Sequence, residues 1–146
     1  MNSSQSDERK RHVNSIVLDS SAVLAMVQGE RGGERVEALL DSIESGADVW
    51  VVISWVNWCE VLTRAQRDNP GMTADELTGA LAGVELVPFG EASAELAASY
   101  AKVSRALSLG DRACLALARI NHATAWTADR FWTQCGLDVP VELIRP

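Results

Sequence analysis

The stretch IVLDSSAVL at residues 16–24 decides the fold class. Three apolar residues lead into Asp19 and two serines, and a second apolar run follows. The first run predicts a buried strand, and the second predicts the start of a helix. Asp19 is therefore expected where a strand ends and a helix begins, which in an open parallel sheet is the edge where ligands bind. A plainer alternative is that Asp19, Ser20 or Ser21 simply caps the helix.

Strands and helices alternate on either side of this stretch. Strands are predicted at residues 13–18, 48–53, 84–88, 123–126 and 139–144. Helices are predicted at residues 21–28, 34–43, 55–68, 73–82 and 91–107, then from Gly110 or Asp111 to 120, with a short one from Asp129. Pro140 places the last strand at a sheet edge, because proline cannot donate to a strand ladder. The crossovers are long enough for parallel pairing, which predicts a three-layer α/β/α domain with a parallel sheet.

Composition limits the class of protein. The chain has 146 residues, of which 47% are hydrophobic and 23% charged, as in a soluble globular protein. Residues 13–146 are expected to form one domain, and the polar residues 1–12 a disordered or flexible tail. No apolar run reaches the roughly 18 residues that cross a membrane, and no signal peptide is recognisable, so we expect a cytoplasmic protein without membrane contact. The net charge of −7 argues against broad nucleic-acid binding but permits a nucleic-acid substrate at a metal site.

Cysteine and histidine chemistry is poorly supported. Cys59, Cys114 and Cys135 form no CxxC pair, and they are expected to be reduced, mostly buried thiols. The only histidines are His12 and His122, which excludes a histidine-rich zinc site. The chemistry is therefore expected to rest on carboxylates.

Four acidic residues differ from the solvated acids on helix faces. Asp19, Asp111 and Asp129 lie at expected strand ends or helix starts, and Glu60 lies in the most aromatic stretch of the chain. Burying carboxylates is costly unless cations or hydrogen bonds compensate, so together they suggest a site for Mg²⁺ or Mn²⁺. Such a site activates water for phosphodiester cleavage. Taken singly, Asp111 and Asp129 suit helix N-termini, and Glu60 has Arg64 one turn away as an ion-pair partner.

Four segments in a fixed order resemble PIN-domain ribonucleases, and in particular the VapC toxins of type II toxin–antitoxin pairs. They read VLDSSAVL at residues 17–24, VNWCEVL at 56–62, LSLGDRACLALA at 107–118 and TADRFW at 127–132. The resemblance implies a parallel sheet of four to five strands in the order 3-2-1-4-5. It assigns Asp19, Glu60, Asp111 and Asp129 as the acidic cluster that holds the metal and performs catalysis, with Ser21 and Thr127 as its supporting polar residues.

The function implied is a metal-dependent endoribonuclease that acts as a toxin, with RNA as substrate, a cognate antitoxin as partner and a homodimer as assembly. Arg112 and Arg130 each follow a site acid, which makes them candidate RNA-binding residues, although surface or structural ion pairs are the more common explanation of such arginines. Two other functions stay open. One is a phosphatase or phosphotransferase with Asp19 as nucleophile, although that class usually has a second acid where Ser21 stands. The other is a non-catalytic binding module with the same fold.

Overall fold

The computed structural model describes residues 14–146. The predicted tail at residues 1–12 and the first residue of the predicted first strand lie outside the described residues. Among these residues, five parallel strands form one sheet: β1 (Asn14–Leu18), β2 (Val49–Ser54), β3 (Glu85–Val87), β4 (Thr124–Thr127) and β5 (Val141–Leu143). Their order is β3-β2-β1-β4-β5, which confirms the order that the resemblance implied. The central strand β1 is paired on both sides, with Val17 opposite Val52 and Ala125.

In the described part of the chain, six α-helices surround the sheet. They are α1 (Ser20–Val27), α2 (Gly33–Glu44), α3 (Trp55–Asp68), α4 (Ala74–Ala80), α5 (Glu91–Tyr100) and α6 (Leu109–Ile120), and a 3₁₀ helix spans Arg130–Thr133. Successive residues of β1 point to opposite faces, as the strand period of two requires. Ile16 and Leu18 pack with α1 to α4, whereas Val17 packs with α5 and α6. The predicted three-layer α/β/α architecture is therefore confirmed, with a core on each face of the sheet. Within residues 14–146, no helix has the length and apolar character needed to span a membrane.

The fifth helix is shorter than predicted. The alanine-rich pattern predicted a helix over residues 91–107, but α5 ends at Tyr100. The next turns tighten, since Lys102 donates to Ser99 and Val103 donates to Tyr100, bonds that span three residues instead of four. The Ser104 hydroxyl then accepts the N–H of Ala106, a local bond that competes with a helix. The break brings Leu107 into the core and places the following residues at the edge of the sheet.

Two smaller expectations have different outcomes. Pro140 precedes β5, and β5 is an edge strand, as predicted; the Pro140 carbonyl accepts the N–H of Ala125. The expectation of mostly buried cysteines fails for Cys59, which is exposed on α3. Cys114 is buried, and Cys135 is partly exposed. Cys59 sits in an apolar stretch of sequence but on the outer side of an amphipathic helix, so its neighbours did not reveal its direction.

Candidate active site

Asp19 lies at the junction of β1 and α1 and is only 3% exposed. It occupies the N-cap position of α1, but its side chain accepts no N–H of that helix, so the plain capping alternative does not apply to it. Instead, its Oδ2 accepts the hydroxyl protons of Ser21 at 2.7 Å and Thr127 at 2.9 Å. The end of β4 therefore meets the end of β1 at this carboxylate.

The two hydroxyls are themselves fixed by the backbone. Ser21 Oγ accepts the N–H of Ala128 at 3.0 Å, and Thr127 Oγ1 accepts the N–H of Asp129 at 3.1 Å. Because a hydroxyl has one proton, these accepted bonds leave it to be donated to Asp19. The other oxygen of Asp19, Oδ1, is buried and has no hydrogen-bond partner among residues 14–146.

Glu60 approaches the same edge from α3. Its Oε1 accepts the Ser20 hydroxyl and the Asn57 side-chain amide, both at 3.1 Å. Its carboxylate also lies against Gly110 so closely that a Cβ at position 110 would overlap it. Glu60 is thus engaged by α1 and α6, and no Glu60–Arg64 ion pair forms between these two described residues.

Asp111 belongs to the first turn of α6. The helix begins at Leu109, one or two residues earlier than predicted, with Ser108 as its N-cap. Ser108 and Asp111 form a capping box: Ser108 Oγ accepts the Asp111 N–H at 3.1 Å, and Asp111 Oδ2 accepts the Ser108 N–H at 2.9 Å. The capping explanation of Asp111 is therefore correct, and the same bonds hold its carboxylate next to Gly110.

Asp129 lies at the exposed end of the group. Its Oδ1 accepts the N–H of Phe131 at 3.0 Å and so caps the 3₁₀ helix. Exposure increases from buried Asp19, through half-buried Glu60 and Asp111, to exposed Asp129. The structure thus brings these carboxylates to one edge of the sheet, with Asp129 at the rim.

Electrostatics show that the carboxylates influence one another. Burial raises the pKa of Asp19 to about 6, against the hydrogen bonds from Ser21 and Thr127. The negative charges of Asp111 and Glu60 add to this rise. Burial also raises the pKa of Asp111, with Asp129 and Glu60 contributing through their charge. The folded chain therefore concentrates negative charge where α1, α3 and α6 begin and β4 ends.

The two arginines after site acids differ in their surroundings. Arg112 Nη1 donates to the Ala97 carbonyl of α5 at 3.1 Å, and its Nε is buried. Arg112 therefore ties α6 to α5 in this structure. Arg130 is exposed next to Asp129 at the rim.

Two further residues of the site carried no functional assignment from the sequence. Asn57 is fully buried and bonds both Glu60 and the Gly110 carbonyl, and Gly110 leaves the space that Glu60 fills. The sequence held one usable signal for Asn57, a lone amide between apolar neighbours, one helical turn before Glu60. Gly110 carried none, because the contact joins positions fifty residues apart.

The donor set fits a hard divalent cation in kind. The site offers carboxylate oxygens, one of them the buried and unpartnered Oδ1 of Asp19. Carboxylates whose pKa is raised, as those of Asp19 and Asp111 are, gain stability from a nearby positive charge. The carboxylates are neighbours, but they do not converge on one metal position. Within residues 14–146, no three Asp, Glu, His or Cys side chains are already arranged to bind a metal ion.

A separate groove lies away from this site. It has a volume of about 430 Å³ between α1, α2 and α4, with Met26, Leu40, Met72 and Leu77 among its lining residues. It shares no lining residue with the carboxylate group.

Comparison with known proteins identifies the family. A family model for the PIN domain matches residues 16–134, most of the chain. The chain therefore belongs to the PIN domain family, which confirms the resemblance found in the sequence. A search of curated proteins gave no significant match.

Solved structures with the same fold come from toxin–antitoxin complexes. A chain of a toxin–antitoxin complex from Klebsiella pneumoniae superposes with a TM-score of 0.65 at 18% identity, over 88% of this chain and 97% of that one. A chain of VapBC-1 from nontypeable Haemophilus influenzae gives 0.64 at 15% identity, over 89% and 98%. A chain of VapBC-5 from Mycobacterium tuberculosis gives 0.54 at 21% identity, over 90% and 98%. At these identities the likeness is one of fold.

Proposed function

We propose that this chain is a metal-dependent endoribonuclease and the toxin of a toxin–antitoxin pair. Asp19, Glu60, Asp111 and Asp129 are its catalytic side chains and hold Mg²⁺ or Mn²⁺, and Ser21 and Thr127 support them. One observation carries the proposal: carboxylates from four separate parts of the sequence lie at the carboxyl edge of a PIN-fold sheet, where burial and the charges of Asp129 and Glu60 raise the pKa of Asp111. Membership of the PIN family and the fold shared with toxin–antitoxin complexes support it further.

The hydrogen bonds suit carboxylates that serve as metal ligands. In Asp19, Glu60 and Asp129, one oxygen accepts hydrogen bonds while the other accepts none among residues 14–146. Donors on one oxygen fix the direction of the carboxylate and leave the second oxygen to a cation, as outer-shell partners do in metal sites.

Each residue then has a defined task. Asp19 Oδ1 presents a buried charge that Ser21 and Thr127 hold in place through Oδ2. Asp111, fixed by its capping box, supplies a second carboxylate that is affected by the charge of Glu60. These carboxylates would hold a Mg²⁺ or Mn²⁺ ion, which would supply the Lewis acidity needed to activate water and to stabilise the leaving oxygen of the phosphodiester.

The direct test is cleavage of total RNA by the purified chain with Mn²⁺ or Mg²⁺ and with excess EDTA. We expect cleavage only with metal and a loss of orders of magnitude in Asp111→Asn, which keeps the shape but removes ligand charge. Undiminished cleavage in EDTA or by this variant would refute the proposal. Phosphomonoester hydrolysis without RNA cleavage would favour the alternative in which Asp19 is a nucleophile.

Gly110→Ala is expected to lower cleavage without unfolding the protein. The added Cβ would overlap the Glu60 carboxylate, which lies at the end of a flexible side chain and can move away. Alanine also favours a helix over glycine by about 1 kcal/mol, so the melting temperature should hold or rise. Gly79→Ala is the matched control, because a Cβ there meets nothing within 4 Å. Full activity in Gly110→Ala would show that the position of Glu60 is unimportant.

Arg130→Ala and Arg112→Ala should separate RNA binding from stability. Arg130 is exposed at the rim, and we propose that it contacts RNA phosphate; its loss should raise KM and weaken the salt dependence of binding. Arg112 bonds Ala97, so its loss should mainly lower the melting temperature. Equal effects of the two changes on KM would assign both arginines to the RNA.

An antitoxin and a second copy of the chain are the proposed protein partners, in the cytoplasm. Solved structures with this fold include toxin–antitoxin complexes, and three of the matched structures contain bound DNA, in one of them a fragment from the promoter. Large apolar side chains exposed at the first residues of α3 and α6, Trp55 and Leu109, support a protein contact beside the site. Light scattering and co-purification with a co-expressed antitoxin test these two partners.

A further inference from the structure

Asn57 is a fully buried amide in α3 whose two protons are both used. Nδ2 donates to Glu60 Oε1 at 3.1 Å and to the Gly110 carbonyl at 2.9 Å. Both partners are acceptors, so only the orientation with Nδ2 towards them bonds both. One side chain thus ties α3 to the first turn of α6, beside Asp111.

This link fixes a single oxygen of Glu60. Ser20, from α1, donates to the same Oε1, so two donors from different helices hold that atom. Gly110 lacks a Cβ and leaves room for the carboxylate between α3 and α6. Within residues 14–146, Glu60 Oε2 accepts no hydrogen bond, so the two donors act on one oxygen of this carboxylate only.

Packing alone does not explain Asn57. Its Oδ1 is buried and has no partner among the described residues. An unpartnered buried amide oxygen lowers the stability of the fold, and an apolar side chain there would avoid that loss. What distinguishes the amide from an apolar side chain is its two donated hydrogen bonds, which fix the position of Glu60.

We propose that Asn57 is a positioning residue, which locks Glu60 against the start of α6 so that Oε2 faces the cation site. The inference rests on the proposed function, because it concerns how the metal site is assembled. Asn57 touches neither substrate nor metal and acts through Glu60.

The test is a Mn²⁺ titration followed by thermal melting, on the parent, Asn57→Ala, Glu60→Gln and the double variant. Val61→Ala is the control, since it also truncates a fully buried side chain of α3 but lies in the apolar core. In Asn57→Ala we expect the Mn²⁺ concentration for half of the maximal shift to rise about tenfold, the scale of losing an outer-shell partner. Excess Mn²⁺ should then restore much of the RNA cleavage.

The double variant decides whether Asn57 acts through Glu60. With Gln at position 60, adding Asn57→Ala should change the half-saturating Mn²⁺ concentration less than about twofold, because coupled residues are non-additive. The inference would be overturned if the two single substitutions raised the half-saturating Mn²⁺ concentration by factors that multiply in the double variant. It would also be overturned if Asn57→Ala gave the same titration as Val61→Ala. Either result would leave the proposed function standing. A parent whose melting does not respond to Mn²⁺ would overturn both. Should Asn57→Ala fail to fold, Asn57→Thr is close to asparagine in volume, lacks the amide, and is expected to give the same titration.

Discussion

Asp19→Asn is expected to melt at a higher temperature than the parent at pH 7 in EDTA, although it has lost RNA cleavage. Asp19 is almost completely buried, and burial with the charges of Asp111 and Glu60 raises its pKa to about 6. At pH 7 the parent must therefore hold a carboxylate that its surroundings disfavour. Asparagine keeps an acceptor for Ser21 and Thr127 and removes the charge.

The pH dependence of this effect has a defined sign. An unfolded aspartate has a pKa near 3.8, so between about pH 4 and 6 the folded chain holds a proton that the unfolded chain has lost. The free energy of unfolding of the metal-free parent should therefore fall as pH rises through this window. A difference of about two pKa units between the folded and unfolded chain corresponds to about 3 kcal/mol of unfolding free energy. The charged Asp19 lowers the stability by this full amount above about pH 6 and by nothing below about pH 4. The raised pKa of Asp111 acts in the same direction.

Thermal or urea melts of both proteins from pH 4 to 7 in EDTA measure this. The advantage of Asp19→Asn should be largest at pH 7 and shrink towards pH 4. Asp138→Asn provides a control of opposite sign, because hydrogen bonds from Tyr100 and Arg119 lower the pKa of Asp138. Its carboxylate stabilises the fold above about pH 4, so the variant should be less stable at pH 7. A constant difference between Asp19→Asn and the parent at all pH values would show that the charge of Asp19 carries no cost.

The sequence predicted the framework because the framework depends on local patterns. Apolar runs and helical stripes located every strand, and the change from strand to helix at Leu18–Ser20 placed Asp19 at the correct edge. The helix boundaries were predicted less accurately. The alanine-rich sequence predicted that the helix beginning at Glu91 continues to residue 107, but the chain turns out of the helix before Ser104. The glycine at position 110 suggested a later start for α6, but Ser108 caps the helix and it begins at Leu109. In each case a hydroxyl that bonds the nearby backbone determined the boundary.

The candidate site was only partly accessible from the sequence. The four acids stood out by their position next to apolar runs, and the family resemblance joined them into one set. The contacts that orient them join distant positions, such as Ser20 with Glu60 and Asn57 with Gly110, and no local pattern encodes such pairs. The different surroundings of Arg112 and Arg130 were hidden for the same reason, since the Ala97 carbonyl that binds Arg112 lies fifteen residues away.

Mn²⁺ is expected to raise the melting temperature of the parent and to have much less effect on Asp111→Asn. The cation binds the folded carboxylate group and not the unfolded chain, so at about 100 times Kd the gain is about 2.7 kcal/mol. In EDTA, Asp111→Asn should be as stable as the parent or more stable, because the amide relieves repulsion from Glu60 and Asp129. It can also still accept the Ser108 N–H, so the capping box loses little.

Melts of the two proteins in EDTA and in Mn²⁺ separate the functions of this carboxylate. If Asp111 only caps α6, the substitution changes little and Mn²⁺ shifts both melts equally or neither. If Asp111 is a ligand, the variant keeps its stability in EDTA but loses most of the Mn²⁺ shift together with RNA cleavage, an exchange of stability for activity. A Gly79→Ala control should show the same Mn²⁺ shift as the parent, whatever its melting temperature in EDTA, since a Cβ there meets nothing within 4 Å. Equal Mn²⁺ shifts in parent and variant would remove Asp111 from the ligand set and leave Asp19, Glu60 and Asp129 to hold the metal.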